Sequence, residues 1–114
     1  MSTARPRRRA GIEARASVFA ALGDETRLAL VGRLAEGSPQ SISRLAEGSA
    51  LTRQAITRHL RVLEGAGVVQ SVRVGRESRF EFRPEPLREI KSYLDRVSDQ
   101  WDHALARLKS FVED

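Results

Sequence analysis

Residues 41–69 read SISRLAEGSALTRQAITRHLRVLEGAGVV. Ser41 stands where an N-cap belongs, ahead of a short segment in which Ile42, Leu45 and Ala46 share a face. Gly48 to Leu51 reads as a turn and Thr52 as a second cap. Ala55, Ile56, Leu60 and Leu63 then follow at the i, i+1, i+5, i+8 spacing of one buried helical stripe, which Gly65-Ala66-Gly67 ends. A short helix, a Gly-containing turn and a longer helix form the pattern of a helix-turn-helix, whose second helix enters the DNA major groove.

The side of that second helix away from Ile56, Leu60 and Leu63, or flanking them, carries Arg53, Gln54, Thr57, Arg58 and Arg61. These residue types suit a duplex: Arg bonds guanine O6 and N7, Gln bonds adenine N6 and N7, and Thr offers a hydroxyl or a methyl. Arg53, Gln54, Thr57 and Arg58 are expected in the groove and Arg61 on phosphate, since half or more of such hydrogen bonds go to the backbone. His59, beside Leu60 and partly turned to the core, is expected to be structural or to touch phosphate. The caps Ser41 and Thr52 complete the expected DNA-facing set on the two helices.

Upstream, the pattern becomes helical from Ile12, with Ala16, Phe19, Ala20 and Leu22 on one face and Gly23 as the stop. Asp24 reads as the N-cap of the next helix, where its carboxylate meets orphan N–H groups and the positive end of the dipole. Leu28, Val31, Leu34 and Ala35 are the expected buried stripe of that helix. Downstream, VVQSVRV and SRFEF are β-branched or aromatic and flank Gly75-Arg76-Glu77, a two-stranded hairpin. Its tip would form a wing, with Arg76 entering an adjacent minor groove and Arg73 and Arg79 on the flanking strands.

The last helix, about 86–112, places Leu87, Ile90, Leu94, Val97, Trp101, Ala104, Leu108 and Phe111 at alternating steps of three and four, the a/d seam of a heptad repeat. The seam is longer than a small helical core can cover. Homodimerisation through it is therefore expected, with Leu105 beside it and Phe19 of the first helix contributing.

Composition agrees with one globular domain: 114 residues, 40% apolar and 31% charged. The net charge of +5 is unevenly placed. Residues 1–10 hold four Arg and no acid, and residues 51–83 hold seven Arg against three acids, whereas residues 84–114 hold five bases against seven acids. Concentrated basicity of this kind points to a polyanion docking on one part of the molecule. Residues 1–10 read as a basic disordered arm and residues 11–114 as the folded domain. No apolar run approaches a bilayer-spanning length, and no apolar segment follows the Arg cluster to make a signal peptide, so a cytoplasmic address and no membrane partner are expected. The absence of cysteine excludes disulfides, thiolate metal sites and thiol switches. Asp99 and His103 are i, i+4 on the last helix but lack companions, and no catalytic constellation stands out; neither a metal, a cofactor nor an enzymatic activity is expected.

Four segments together resemble the ArsR/SmtB family of winged-helix regulators: VFAALGDETRLALVGRL (18–34), LTRQAITRHLRVLEGAGVV (51–69), VGRESRFEF (74–82) and Pro86-Leu87. The family's usual Asp-Pro-Thr-Arg is here Asp24-Glu25-Thr26-Arg27. The resemblance implies an α+β, mostly α fold, a winged helix-turn-helix with five helices and a two-stranded hairpin wing. It further implies a symmetric dimer built from the first and last helices, repression at a palindromic double-stranded DNA operator, and release by an inducer of unknown identity. Metal-sensing members use a Cys-x-Cys site on the third helix or an Asp-x-His pair on the last. Here residues 41–47 lack Cys and Asp102-His103 are adjacent, so the chain resembles the subgroup without recognised metal ligands. A metal- or ligand-responsive sensor of the same fold, and a helix-mediated interaction module without DNA, are the alternatives.

Overall fold

Three side-chain oxygens start three of the helices. The Asp24 carboxylate accepts from the Arg27 N–H at 3.0 Å, Ser41 Oγ from Arg44 N–H at 3.1 Å and Thr52 Oγ1 from Ala55 N–H at 3.1 Å. Each cap residue is extended, as an N-cap must be, and each such bond contributes about 1 kcal/mol to its helix. The computed structural model describes residues 7–113, with side chains from 11 onward. The elements are α1 (Arg7–Leu22), α2 (Glu25–Ala35), β1 (Gln40–Ser41), α3 (Ile42–Ala46), α4 (Arg53–Gly65), β2 (Val69–Val74), β3 (Glu77–Phe82) and α5 (Glu85–Glu113).

The expected arm over 1–10 meets this structure only in part. Residues 1–6 lie outside the described residues, while α1 begins at Arg7, so the last four residues of the stretch are helical.

The sheet has three antiparallel strands in the order β1-β3-β2, one more than the expected hairpin. β1 is two residues long and pairs Gln40 with Phe80 and Ser41 with Arg79. A polar pair after Pro39 carries no alternation, which is why the strand is silent in the sequence. It ties the start of α3 to the wing. The hairpin itself turns at Gly75-Arg76, with Val74 opposite Glu77. Gly75 has φ +63° and no other residue of the turn is positive, the requirement of a two-residue type II′ turn.

Leu34, Leu45, Ile56, Leu60, Leu63, Val68, Val69, Phe80 and Ile90 form the centre of the core. The α3 and α4 stripes match expectation. Two others need correction. In α2, Leu28 is 55% exposed and Ala35 is exposed, while Leu30, at 3%, joins Val31 and Leu34 inside. With apolar residues at 28, 30, 31 and 34, two overlapping stripes are available, and the packing of β3 on α2 selects the second. In α1, Val18 and Ala21 are buried, whereas Ala16 and Ala20 are exposed and Phe19 turns its ring edge to Tyr93 of α5. Alanine contributes too little burial energy to fix a face where a Val and a Phe compete.

The α5 seam also divides. Ile90 is buried within the protomer and Leu87 packs partly against the core. Beyond them the helix runs on alone: Leu94, Trp101, Leu105, Leu108 and Phe111 are exposed, Trp101 at 63% and Phe111 at 81%, with Val97 half-buried.

Candidate nucleic-acid interface

The outer face of α4 is set by its inner one. Ile56, Leu60 and Leu63 are fully buried, so the 3.6-residue repeat turns Arg53, Gln54 and Arg58 to solvent with Thr57 at the margin. Arg53, Gln54, Thr57 and Arg58 come together along one cleft of about 520 Å³, with Ile42 of α3 as its apolar floor. Thr57 Oγ1 donates to the Arg53 carbonyl at 2.8 Å, so its hydroxyl hydrogen serves the helix, leaving an acceptor and a methyl for a partner. The turn before α4 includes Gly48 at φ +76°, a left-handed conformation that glycine adopts without strain.

The other expected residues occupy different settings. Ser41 and Thr52 are cap residues whose oxygens already accept backbone N–H groups. Arg61 reaches Glu64 at 3.0 Å, and Glu64 also accepts from Ser71 Oγ at 2.8 Å, which fastens the end of α4 to β2. The Ser71 hydroxyl, and then Arg61, hold the Glu64 carboxyl below its ordinary 4.5. On the wing, Arg73 pairs across from Ser78 and Arg79 across from Val72. Alternation therefore puts Arg73 and Arg79 on opposite faces of the hairpin. Arg79 bonds Glu77 at 3.1 Å and lines a cleft at the wing's base with Ser41 and Arg44, away from the tip. Arg79, and then Ser41, keep the Glu77 carboxyl below 4.5. Arg76 stands exposed at the turn. Among the described residues, Arg53, Arg58, Arg73 and Arg76 have no ion pair, so four guanidinium groups on α4 and the wing remain uncompensated.

His59 does not share the open face. Its Nδ1 lies 3.2 Å from Arg27 Nη1 and 3.8 Å from the Asp24 carboxylate. The bond to guanidinium, which only donates, makes Nδ1 the acceptor and leaves the proton of the neutral ring on Nε2. Arg27 also donates from Nε to the Ala21 carbonyl at 2.6 Å and from Nη2 to the Ala20 carbonyl at 3.4 Å, closing the end of α1. One α2 side chain thus joins α1 to α4. Arg33 does the same for α3, donating to the carbonyls of Leu45 at 2.8 Å and Arg44 at 3.2 Å. Cations at helix C-termini suit the dipole and satisfy orphan carbonyls. Neither arginine stands out in the sequence as a positioning residue; Arg27 is signalled only by its place in Asp24-Glu25-Thr26-Arg27. Asp99 and His103 are exposed on α5, and among the described residues no three His, Asp or Glu side chains gather closely enough to hold a metal.

A helix-turn-helix domain family matches residues 22–72, which span α2 to the middle of β2. The HTH-type transcriptional regulator Rv2034 of Mycobacterium tuberculosis is 33% identical over 93 residues, 82% of this chain and 83% of that protein. A solved structure is also similar: the ArsR-like transcriptional regulator from Rhodococcus sp. RHA1 is 40% identical, with a TM-score of 0.81 over 90% of this chain and 95% of that one. The chain belongs to the ArsR family of DNA-binding winged helix-turn-helix transcriptional regulators. The fold alone is shared with a homodimeric winged helix-turn-helix DNA-binding domain from Mycobacterium bovis, 22% identical with a TM-score of 0.67 over 88% of this chain and 92% of that one. Within the ArsR frame, α3 and α4 are the helix-turn-helix and β2–β3 the wing.

Proposed function

We propose that this ArsR-family chain is a homodimeric repressor that binds a palindromic operator in double-stranded DNA and releases it to an inducer. The observation that carries the DNA half of the reading is the single cleft bearing Arg53, Gln54, Thr57 and Arg58, whose two arginines have no ion pair among the described residues. In the proposed complex α4 lies in the major groove with Arg53, Gln54, Thr57 and Arg58 on base edges. Arg61 and His59 Nε2–H face phosphate, and Arg76 enters the flanking minor groove with Arg73 beside it. Ser41, Thr52 and Arg79 contribute by holding α3, α4 and the wing in place.

The dimer half rests on α5. A stripe of Leu94, Trp101, Leu105, Leu108 and Phe111 left exposed on a single helix is an apolar surface a monomer does not keep. A second copy covers it, with Phe19 at the edge, and two-fold symmetry then presents two copies of α4 to successive major grooves about 34 Å apart. Repression follows from occupying the duplex. A cytoplasmic location suits this work, and among the described residues no helix is long and apolar enough to cross a membrane.

Fluorescence anisotropy of the full chain against fragments selected from genomic DNA tests the reading. The expected result is saturable binding whose logarithm falls linearly with the logarithm of salt, tightest for a palindrome. Binding that ignores salt, or is equal for all sequences, would reject a sequence-specific regulator.

A further inference from the structure

Two clefts meet along α1 and α5, away from the reading face. One, of about 190 Å³, is walled by Ala14 and Val18 of α1, Ala66 after α4, and Pro86 and Ile90 of α5. The other, of about 450 Å³, is walled by Arg15, Arg88, Ser92 and Arg96. Arg15 and Glu89 belong to both, so the apolar cleft opens into the basic one.

The basic half is built from helix periodicity. Arg88, Ser92 and Arg96 recur every fourth residue and so stand on one face of α5, one turn apart, with a hydroxyl between two guanidinium groups. Arg15 completes the set from α1, held at 4.9 Å over the Tyr93 ring, which in turn meets Phe19 edge-on. Among the side chains lining this cleft, three cations stand with one carboxylate, Glu89, while Asp95 and Asp99 lie further along the same face of α5. Glu85, the acid preceding Glu89, is bonded to Arg83 at 3.4 Å and lies within electrostatic reach of Arg88. The Arg88–Ser92–Arg96 row lies on the side of α5 opposite Leu94, Trp101 and Leu105, while Arg15 stands one helical turn from Phe19 at the edge of the proposed dimer.

We propose that this joined cleft binds a small organic anion, a carboxylate on a short apolar body. The carboxylate would sit between Arg88 and Arg96 over Ser92, where guanidinium forks pair with it bidentately. The body would enter the apolar half, whose volume holds about six water-sized groups, enough for a five-carbon tail. One wall of that half is the end of the reading helix, at Gly65 and Ala66. The role of the site as an effector of operator binding rests on the reading above; its occupancy does not.

Calorimetry of the full chain without DNA, using sodium hexanoate, inorganic phosphate and 1-hexanol as probes, tests the site. Hexanoate is expected to bind, with phosphate and hexanol at least about tenfold weaker because each supplies half of the match. The exposed double substitution Arg88→Gln with Arg96→Gln should weaken hexanoate about tenfold or more at unchanged melting temperature. Ala14→Phe, which fills the apolar half without altering charge, should do the same. Equal affinity for hexanoate and phosphate, or unchanged binding in either variant, overturns the proposal. So does a loss of hexanoate-free DNA affinity in the arginine variant, which would make the row a phosphate contact. Failure of DNA binding in the wild-type chain would reject the regulator reading and leave the calorimetry standing.

Discussion

The two long amphipathic helices, α4 and α5, end differently. The α4 stripe is used up inside one chain: Ile56, Leu60 and Leu63 are sealed by α2, α3 and the sheet, and the polar face is free to read. The α5 stripe is sealed only at Leu87 and Ile90, after which its apolar residues, apart from the half-buried Val97 and Ala104, meet solvent for the rest of a helix about 43 Å long. The first helix is complete in the protomer and waits for DNA. The second is incomplete in the protomer, and in the proposed dimer a copy of itself completes it.

Substitutions should separate the two. The largest effect is expected from Leu60→Ala, which empties a wholly buried site and should lower unfolding free energy by about 2–5 kcal/mol in a denaturant titration. A cost below that range would mean that the α4 stripe does not anchor the core. On α5, Trp101→Glu should leave the protomer's circular dichroism intact while weakening dimerisation by about 2 kcal/mol or more, read by sedimentation equilibrium. Protomer unfolding instead would show that α5 is a core element. On the open face of α4, Arg58→Ala should cost about 1–3 kcal/mol of operator affinity with the dimer unchanged, and should relax preference at one base position. An unaltered gel-shift titration would remove Arg58 from the reading set.

The smallest effect concerns pH. Glu64, whose carboxyl is held low by Ser71 and Arg61, binds its proton more weakly folded than unfolded. Its contribution is therefore fully present above the ordinary value of 4.5 and is lost as pH falls through the lower folded value. Glu64→Gln should flatten the acid limb of stability below about pH 4.5, and an identical acid limb in both proteins would show that the α4–β2 tie carries no weight.

Much of this contrast is legible in the sequence because it depends on local chemistry. Asp24, Ser41 and Thr52 are short acceptors ahead of amphipathic runs, and each proves to be a cap. The α4 stripe has one competing apolar position, Val62, which stays 45% exposed because Ile56, Leu60 and Leu63 already share a face. The hairpin follows from Gly75 between β-rich segments. What escapes is set by distant partners. Leu28 and Leu30 are interchangeable until β3 packs on α2. β1 exists because Phe80 and Arg79 lie beside it, and Arg27 matters because α1 ends within its reach. The reading face is legible as residue types, but that Arg79 faces the wing's base and His59 is tied to Arg27 depends on the fold.

The account turns on two α4 helices being presented together because α5 is unfinished. Hydroxyl-radical footprinting of a selected operator, by the wild-type chain and by Trp101→Glu, tests this most directly. The account predicts two protected half-sites centred about one helical turn apart for the wild type, and loss of both at the same concentration for the variant. A single protected half-site, or the same two-part footprint in the variant, would contradict it.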